Sequence, residues 1–234
     1  MEQFARTEML IGADAMEKLH AARVAVFGVG GVGGFTAEAL VRAGVGSIDI
    51  IDNDTVALTN LNRQIIALHS TLGRSKVQVM AERLRDINPA VKVTCHEMFY
   101  LPENADSMDL SQYDYIVDAV DTVAAKLELI TRCNALGRPI ICAMGAGNKL
   151  DPTKIVITDI YKTDNCPLAR VIRAQCKKRG IRRLKVAYSA EPALKPAEAE
   201  ELSGRRATPG SMSFVPSVMG LIIAGEVVKD LIAR

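Results

Sequence analysis

The sequence predicts an α/β protein with a doubly wound, mostly parallel sheet and a C-terminal extension. Three observations carry that reading. Short apolar runs, Arg23-Val-Ala-Val-Phe27 first among them, alternate with segments of helical spacing. A glycine turn, Gly28-Val-Gly30-Gly31-Val-Gly33, follows the first run and opens a helix. The alternation persists to about residue 150 and then changes character.

Taken in order, residues 1–12 read as an arm and 14–20 as a short helix leading into the first strand. A helix over 33–43 is rich in Gly and Ala, which allows close packing on a sheet. Ser47-Ile-Asp-Ile-Ile-Asp52 is the second strand. The helix over 75–87 buries Val77, Met80, Ala81, Leu84 and Ile87 at helical spacing and stops at Asn88-Pro89. Strands follow over 91–95 and 113–120, then a helix over 124–136 that closes on Gly137, then a strand over 139–143. Beyond Gly147 come a strand over 154–160, a basic helix over 167–180 and a strand over 184–188. A long polar loop covers 191–213, and an apolar helix covers 217–232. Strands alternating with helices imply parallel pairing through right-handed crossovers. The whole reads as one domain over 1–234, with a nucleotide-binding half over 1–150 and a second half over 151–234.

Composition removes several function classes. Of 234 residues, 49% are hydrophobic and 24% charged, enough for a real core. Aromatic residues make up only 4% and Trp is absent, which argues against a base-stacking nucleic-acid platform. Net charge is +2, so any basic partner surface must be local. The five cysteines form no Cys-x-x-Cys pair, so no zinc ribbon or thioredoxin-like site is expected. The N-terminus shows no signal pattern. The most apolar long stretch, 214–233, is interrupted by Pro216, Glu226, Lys229 and Asp230. The expectation is a soluble cytoplasmic protein with reduced thiols and no transmembrane segment.

The glycine turn lets backbone approach phosphate oxygens at a helix N-terminus, which gives Gly28, Gly30, Gly31 and Gly33 a nucleotide-binding role. Asp52 lies at a strand end about 20 residues on, where a carboxylate accepts ribose hydroxyls. Alone, this Rossmann-like pattern is a weak signal for which nucleotide is bound, and a nicotinamide dehydrogenase is the plainer alternative. Asn60, Arg63 and Lys76 shift the balance, because two cations and an amide suit a triphosphate. Asp121 follows the fourth strand, where a carboxylate can hold Mg²⁺ against phosphates. Asp54, Gln64 and Thr122 flank these residues and complete the expected site. The plainer alternative makes Arg63 and Lys76 a solvated surface pair and Asp121 the cap of the next helix.

Gly28-Val-Gly-Gly-Val-Gly33, Ile51-Asp-Asn-Asp-Thr-Val56, Thr59-Asn-Leu-Asn-Arg-Gln64, Gly73-Arg-Ser-Lys76 and Asp118-Ala-Val-Asp121 occur in order. Together they resemble the ThiF/MoeB group of adenylating enzymes, related to ubiquitin-activating enzyme. The resemblance covers about residues 1–160. It implies a homodimer, formed through the second half, in which each subunit adenylates a carboxylate with ATP and Mg²⁺. It implies that Asp52 holds the ribose, that Asn60, Arg63 and Lys76 hold the phosphates, and that Asp121 holds the metal. It also implies that Arg6, in Phe4-Ala-Arg6, enters the partner's active site.

Departures from the group narrow the reading. Its sulfur-carrier activators carry paired zinc cysteines, which this chain lacks, so no zinc is expected. Cys166 stands alone and reads as a small, partly buried thiol rather than a nucleophile. The zinc-free branch that the chain most resembles is that of the tRNA threonylcarbamoyladenosine dehydratases. The words that carry this include Asn62-Arg-Gln-Ile65, Gly145-Ala-Gly147 and Asp151-Pro-Thr153, and the resemblance weakens after Tyr188. It implies ATP-dependent ring closure, in which the threonyl carboxylate is adenylated and AMP is then expelled. A tRNA substrate needs cations. Arg170, Arg173, Lys177, Lys178, Arg179, Arg182, Arg183 and Lys185 supply eight in sixteen residues, with no acidic residue among them. Arg205 and Arg206 extend the expectation into the late loop. A solvated basic helix face is the alternative. Two other readings stay open: an adenylyltransferase for a ubiquitin-like sulfur carrier, and a non-catalytic nucleotide-sensing scaffold. Also open are a monovalent cation around Gly145–Gly147 and a cysteine desulfurase or sulfur acceptor as partner.

Overall fold

A computed structural model describes residues 2–195 and 209–233. Seven strands form one sheet: β1 (Arg23–Phe27), β2 (Ser47–Ile51), β3 (Lys92–His96), β4 (Tyr115–Asp118), β5 (Ile140–Ala143), β6 (Ile155–Asp159) and β7 (Lys185–Ser189). Their order across the sheet is β3-β2-β1-β4-β5-β7-β6. Every neighbouring pair is parallel except β6 with β7, which is antiparallel. The central strands are apolar because both faces are covered, and Val24, Ala25, Val26, Phe27, Ile116 and Val117 are fully buried.

The helices are α1 (Ala5–Ile11), α2 (Ala13–Ala21), α3 (Gly33–Ala43), α4 (Lys76–Ile87), α5 (Val123–Leu136), α6 (Pro167–Lys178) and α7 (Phe214–Ile232). On one face α3 packs between α4 and α7, and on the other α5 packs on α6. Winding runs outward from β1 through β2 to β3, and in the other direction from β4 to β5. The reversal between β1 and β4 leaves a crevice at the carboxyl ends of those strands, where ligands of open sheets bind. Among the described residues no helix is long and apolar enough to cross a membrane.

Three elements differ from the sequence expectation. The N-terminal arm holds a helix of its own, α1, which Gly12 with a φ of 83° breaks from the expected helix α2. Phe4 anchors them by packing its ring against His20, with centroids 5.5 Å apart. The fourth strand is shorter than 113–120, because the chain leaves the sheet after Asp118 to turn beside Gly28. The terminal helix begins three residues earlier than Ser217, with Pro216 tolerated in its first turn. Arg205 and Arg206 lie outside the described residues, as does the middle of the 191–213 loop.

Candidate active site

A cavity of about 580 Å³ opens at the carboxyl ends of β1, β2 and β4. Its floor is the glycine turn. Gly28 has φ of 89°, and a Cβ there would lie 2.7 Å from the Ala119 carbonyl oxygen, so only glycine fits. Gly30 and Gly31 line the cavity. Gly33 does not line it. A Cβ at Gly33 would collide with the Gly28 carbonyl, so this glycine packs the start of α3 against the turn instead.

Asp52 stands at the rim with both carboxylate oxygens oriented by backbone. Its Oδ2 accepts from the Val29 amide at 2.7 Å and its Oδ1 from the Asp54 amide at 2.9 Å. Lys76 opens α4 and is only 5% exposed, which rules out a solvated surface role. Its ammonium donates to Asp54 Oδ2 at 2.7 Å, and its backbone amide donates to the Asp54 carbonyl at 3.0 Å. Asn60 is buried, with Oδ1 accepting from the Ala57 amide at 3.1 Å. Arg63 is aimed by bonds from Nη1 to the Thr59 carbonyl at 2.9 Å and to Asn62 Oδ1 at 3.0 Å.

Asp121 and Thr122 form the opposite wall, where Thr122 rather than Asp121 is the N-cap residue of α5. Asp121 is exposed, and among the described residues its Oδ1 accepts only from the Thr122 hydroxyl, at 3.3 Å. The lining therefore holds three carboxylates (Asp52, Asp54 and Asp121) against two cations, Arg63 and Lys76. An anionic ligand that brings a divalent cation suits this balance.

One end of the cavity is apolar, built from Phe27, Ile51, Met98, Phe99, Tyr100 and Ala125. The Phe27 and Tyr100 rings meet edge to face at 5.0 Å. This slot suits a planar base. The sequence reading missed residues 98–100, whose only signal is that they follow a strand beside the glycine turn. A further test of fit comes from Gln64. Its Oε1 is buried with no hydrogen-bond partner among the described residues, so it leaves an acceptor for a bound molecule.

Other expected residues lie elsewhere. Arg6 is exposed on α1 and does not line the cavity of its own chain. Arg170 is exposed in the first turn of α6, whereas Arg173 donates through Nη1 to the Thr163 carbonyl and hydroxyl, both at 2.7 Å. Lys177, Lys178, Arg179, Arg182 and Arg183 are exposed. Lys185 is not free, because its ammonium contacts Glu226 at 2.8 Å and Asp230 at 2.6 Å. Lys185 pairs in register with Ile141 near the start of β5, so this end of the basic run lies at the sheet edge opposite the cavity.

Cys166 is buried, and its sulfur caps α6 by accepting from the Ala169 amide at 3.5 Å. Burial pushes the Cys133 thiol up to about 12 and the Cys176 thiol up to about 11. Among the described residues, no three His, Cys, Asp or Glu side chains come together as a metal cluster.

Fold and cavity define a nucleotide-binding α/β protein with its site at the topological switch point. The sequence matches the ThiF family from residue 4 to residue 234, and the chain belongs to that family. It is 44% identical over 242 residues to tRNA threonylcarbamoyladenosine dehydratase of Bacillus subtilis (strain 168), covering 99% of this chain and 95% of that protein. It is 34% identical over 253 residues to the protein of the same name from Escherichia coli (strain K12), covering 100% of this chain and 94% of that one. Among solved structures it resembles E. coli tRNA N6-threonylcarbamoyladenosine dehydratase, TcdA, in complex with ATP. The TM-score is 0.89 at 36% identity, over 99% of this chain and 94% of that chain.

Proposed function

We propose that this protein is an ATP-dependent tRNA threonylcarbamoyladenosine dehydratase. The observation that carries the reading is the 44% identity to a protein of that name over 99% of the chain, which extends well past the nucleotide motifs.

The site residues are proposed to act as follows. The base enters the apolar slot, and Asp52, held by two amides, accepts the ribose hydroxyls. The glycine turn and the start of α3 face the phosphates. Arg63 and Lys76 stabilise charge that develops there, and Asp54 presents the lysine. Asp121 would hold Mg²⁺, which neutralises phosphate charge when bound. The threonyl carboxylate attacks the α-phosphorus of ATP. A bond forms from carboxylate oxygen to phosphorus, and the bond to pyrophosphate breaks. The carbamoyl group of the same side chain then attacks the activated carbonyl and loses a proton, and AMP leaves. The net change in the nucleoside is the loss of one water. Because attack is intramolecular, effective molarity on the order of 10⁵ M makes a thioester cysteine unnecessary.

The substrate tRNA follows α6 and the turn after it, where Arg170, Lys177, Lys178, Arg179, Arg182 and Arg183 are exposed. A second copy of the chain completes the site. Arg6 lies outside its own cavity, and α1 beside it leaves Met9 and Leu10 at 87% and 84% exposure, an apolar face suited to burial in a homodimer.

The test is AMP release from Mg·ATP with three additions: tRNA carrying threonylcarbamoyladenosine, the same tRNA unmodified, and a sulfur-carrier protein. AMP with the modified tRNA alone is the expected result. AMP with the carrier alone would replace this reading by carrier adenylation. ATP binding without AMP in all three would leave a nucleotide-sensing scaffold.

A further inference from the structure

The first residues of α5 contain a lysine with no access to solvent. Lys126 and its partner Asp118, the last residue of β4, are both 0% exposed. The ammonium donates to Asp118 Oδ2 at 2.7 Å and to the Ala143 carbonyl oxygen at 3.0 Å. The other carboxylate oxygen, Oδ1, accepts from the Val120 amide at 3.2 Å. Taking two charges fully out of water is costly, and a well-packed apolar pair of similar volume is often as stable or more so. Stability alone therefore does not account for this pair.

Its connections give a better account. Asp118 grips the backbone of Val120, which immediately precedes Asp121 and Thr122. Lys126 reaches the same turn through its backbone amide, bonded to the Thr122 carbonyl at 3.0 Å. Through its ammonium it also holds Ala143, the last residue of β5. The chain then runs to Ala146 and Gly147, which line the cavity on another side. One buried ammonium thus ties together the β4–α5 turn and the exit of β5, two walls of the same cavity.

We infer that Lys126 and Asp118 are positioning residues, which hold the β4–α5 turn so that Asp121 faces the phosphates of the nucleotide. The inference rests on the proposed role of Asp121. Neither residue lines the cavity. They act by fixing the backbone on which Asp121 stands, because among the described residues the exposed carboxylate has only the Thr122 hydroxyl to orient it.

The test uses the full chain and two double variants. Asp118→Leu with Lys126→Met removes both charges at similar volume, and Asp118→Asn with Lys126→Gln keeps neutral hydrogen bonding. The thermal midpoint of the apolar variant is expected to equal or exceed that of the wild type. Calorimetry should show ATP affinity without Mg²⁺ unchanged, and the gain on adding Mg²⁺ reduced at least fivefold. The kcat with modified tRNA should fall at least tenfold while KM for the tRNA holds. The amide pair should fall between wild type and the apolar pair. A folded apolar variant with the wild-type Mg²⁺ response and kcat overturns the inference. Should neither variant fold, hydrogen exchange on the wild type decides. The Val120 amide is expected to be protected like those of β4, and exchange at the rate of a free loop overturns the inference. An Asp121→Ala enzyme with full activity would instead sink the underlying reading of the site. An inactive Asp121→Ala enzyme beside a fully active apolar double variant would sink only the positioning role.

Discussion

Asp49 is 1% exposed in the middle of β2 and is nonetheless held as a carboxylate. Arg23 donates to it through Nε and Nη2, both at 3.0 Å, while His96 lies at 2.9 Å and the Tyr113 hydroxyl at 3.1 Å. Burial pushes this carboxyl up, but the hydrogen bonds from Arg23 and His96 outweigh it and leave it below the ordinary range. Because the folded value is depressed, the stabilisation is full above the unfolded value of about 3.9 and is lost as pH falls through the folded one. Asp49→Asn should therefore cost about 2 kcal/mol at pH 7 by urea unfolding, and the gap to wild type should close below about pH 4. At the cavity, Lys76→Ala should lower kcat with modified tRNA by about 10²–10³-fold while the fold is retained by circular dichroism. Asp52, Arg63 and Lys76 were legible in the sequence because fixed spacings from one glycine turn carry them. Asp49 and Lys126 were not. Their partners arrive from other elements, Tyr113 from 64 positions away, and a charged residue inside an apolar run says nothing of what will meet it.

Among the elements, α3 and α7 make the closest helix contact. A Cβ at Gly220 would lie 2.4 Å from the Val32 carbonyl oxygen and 3.0 Å from Phe35 Cβ. The Thr36 hydroxyl donates to the Gly220 carbonyl across the same contact, at 3.0 Å. Gly220→Ala must push the helices apart and should destabilise by about 1–3 kcal/mol, read from the denaturant midpoint. Because α3 begins at the glycine turn, the same variant should also weaken ATP binding in calorimetry. Most elements were legible from period and punctuation, such as Gly137 ending α5 and Asn88-Pro89 ending α4. The helix over 14–20 was legible as α2, but α1 was not. No residue of the seven-residue α1 is buried, so no apolar stripe betrays it.

Across the whole molecule, one sheet runs from β3 to β6, so the second half is continuous with the nucleotide-binding half. The basic run ends on Lys185 at the start of β7, the strand end away from the cavity, a placement that only the assembled sheet shows. The sequence also could not tell which cations are already spent, as Lys185 is on Glu226 and Asp230. The shared-site proposal is tested by mixing two inactive proteins, Arg6→Ala and Lys76→Ala. After subunit exchange, activity should return to about a quarter of wild type, since half the dimers are mixed and each has one whole site. No recovery despite demonstrated exchange would remove Arg6 from the partner's site.

The central claim is that the cavity uses ATP to take one water from a nucleoside in tRNA. The most direct measurement is the mass of that nucleoside after incubation of modified tRNA with enzyme and Mg·ATP, with AMP counted in parallel. The expected product is lighter by one water, formed one for one with AMP and absent with Lys76→Ala. A nucleoside of unchanged mass, with AMP formed only when a sulfur-carrier protein is supplied, would contradict it.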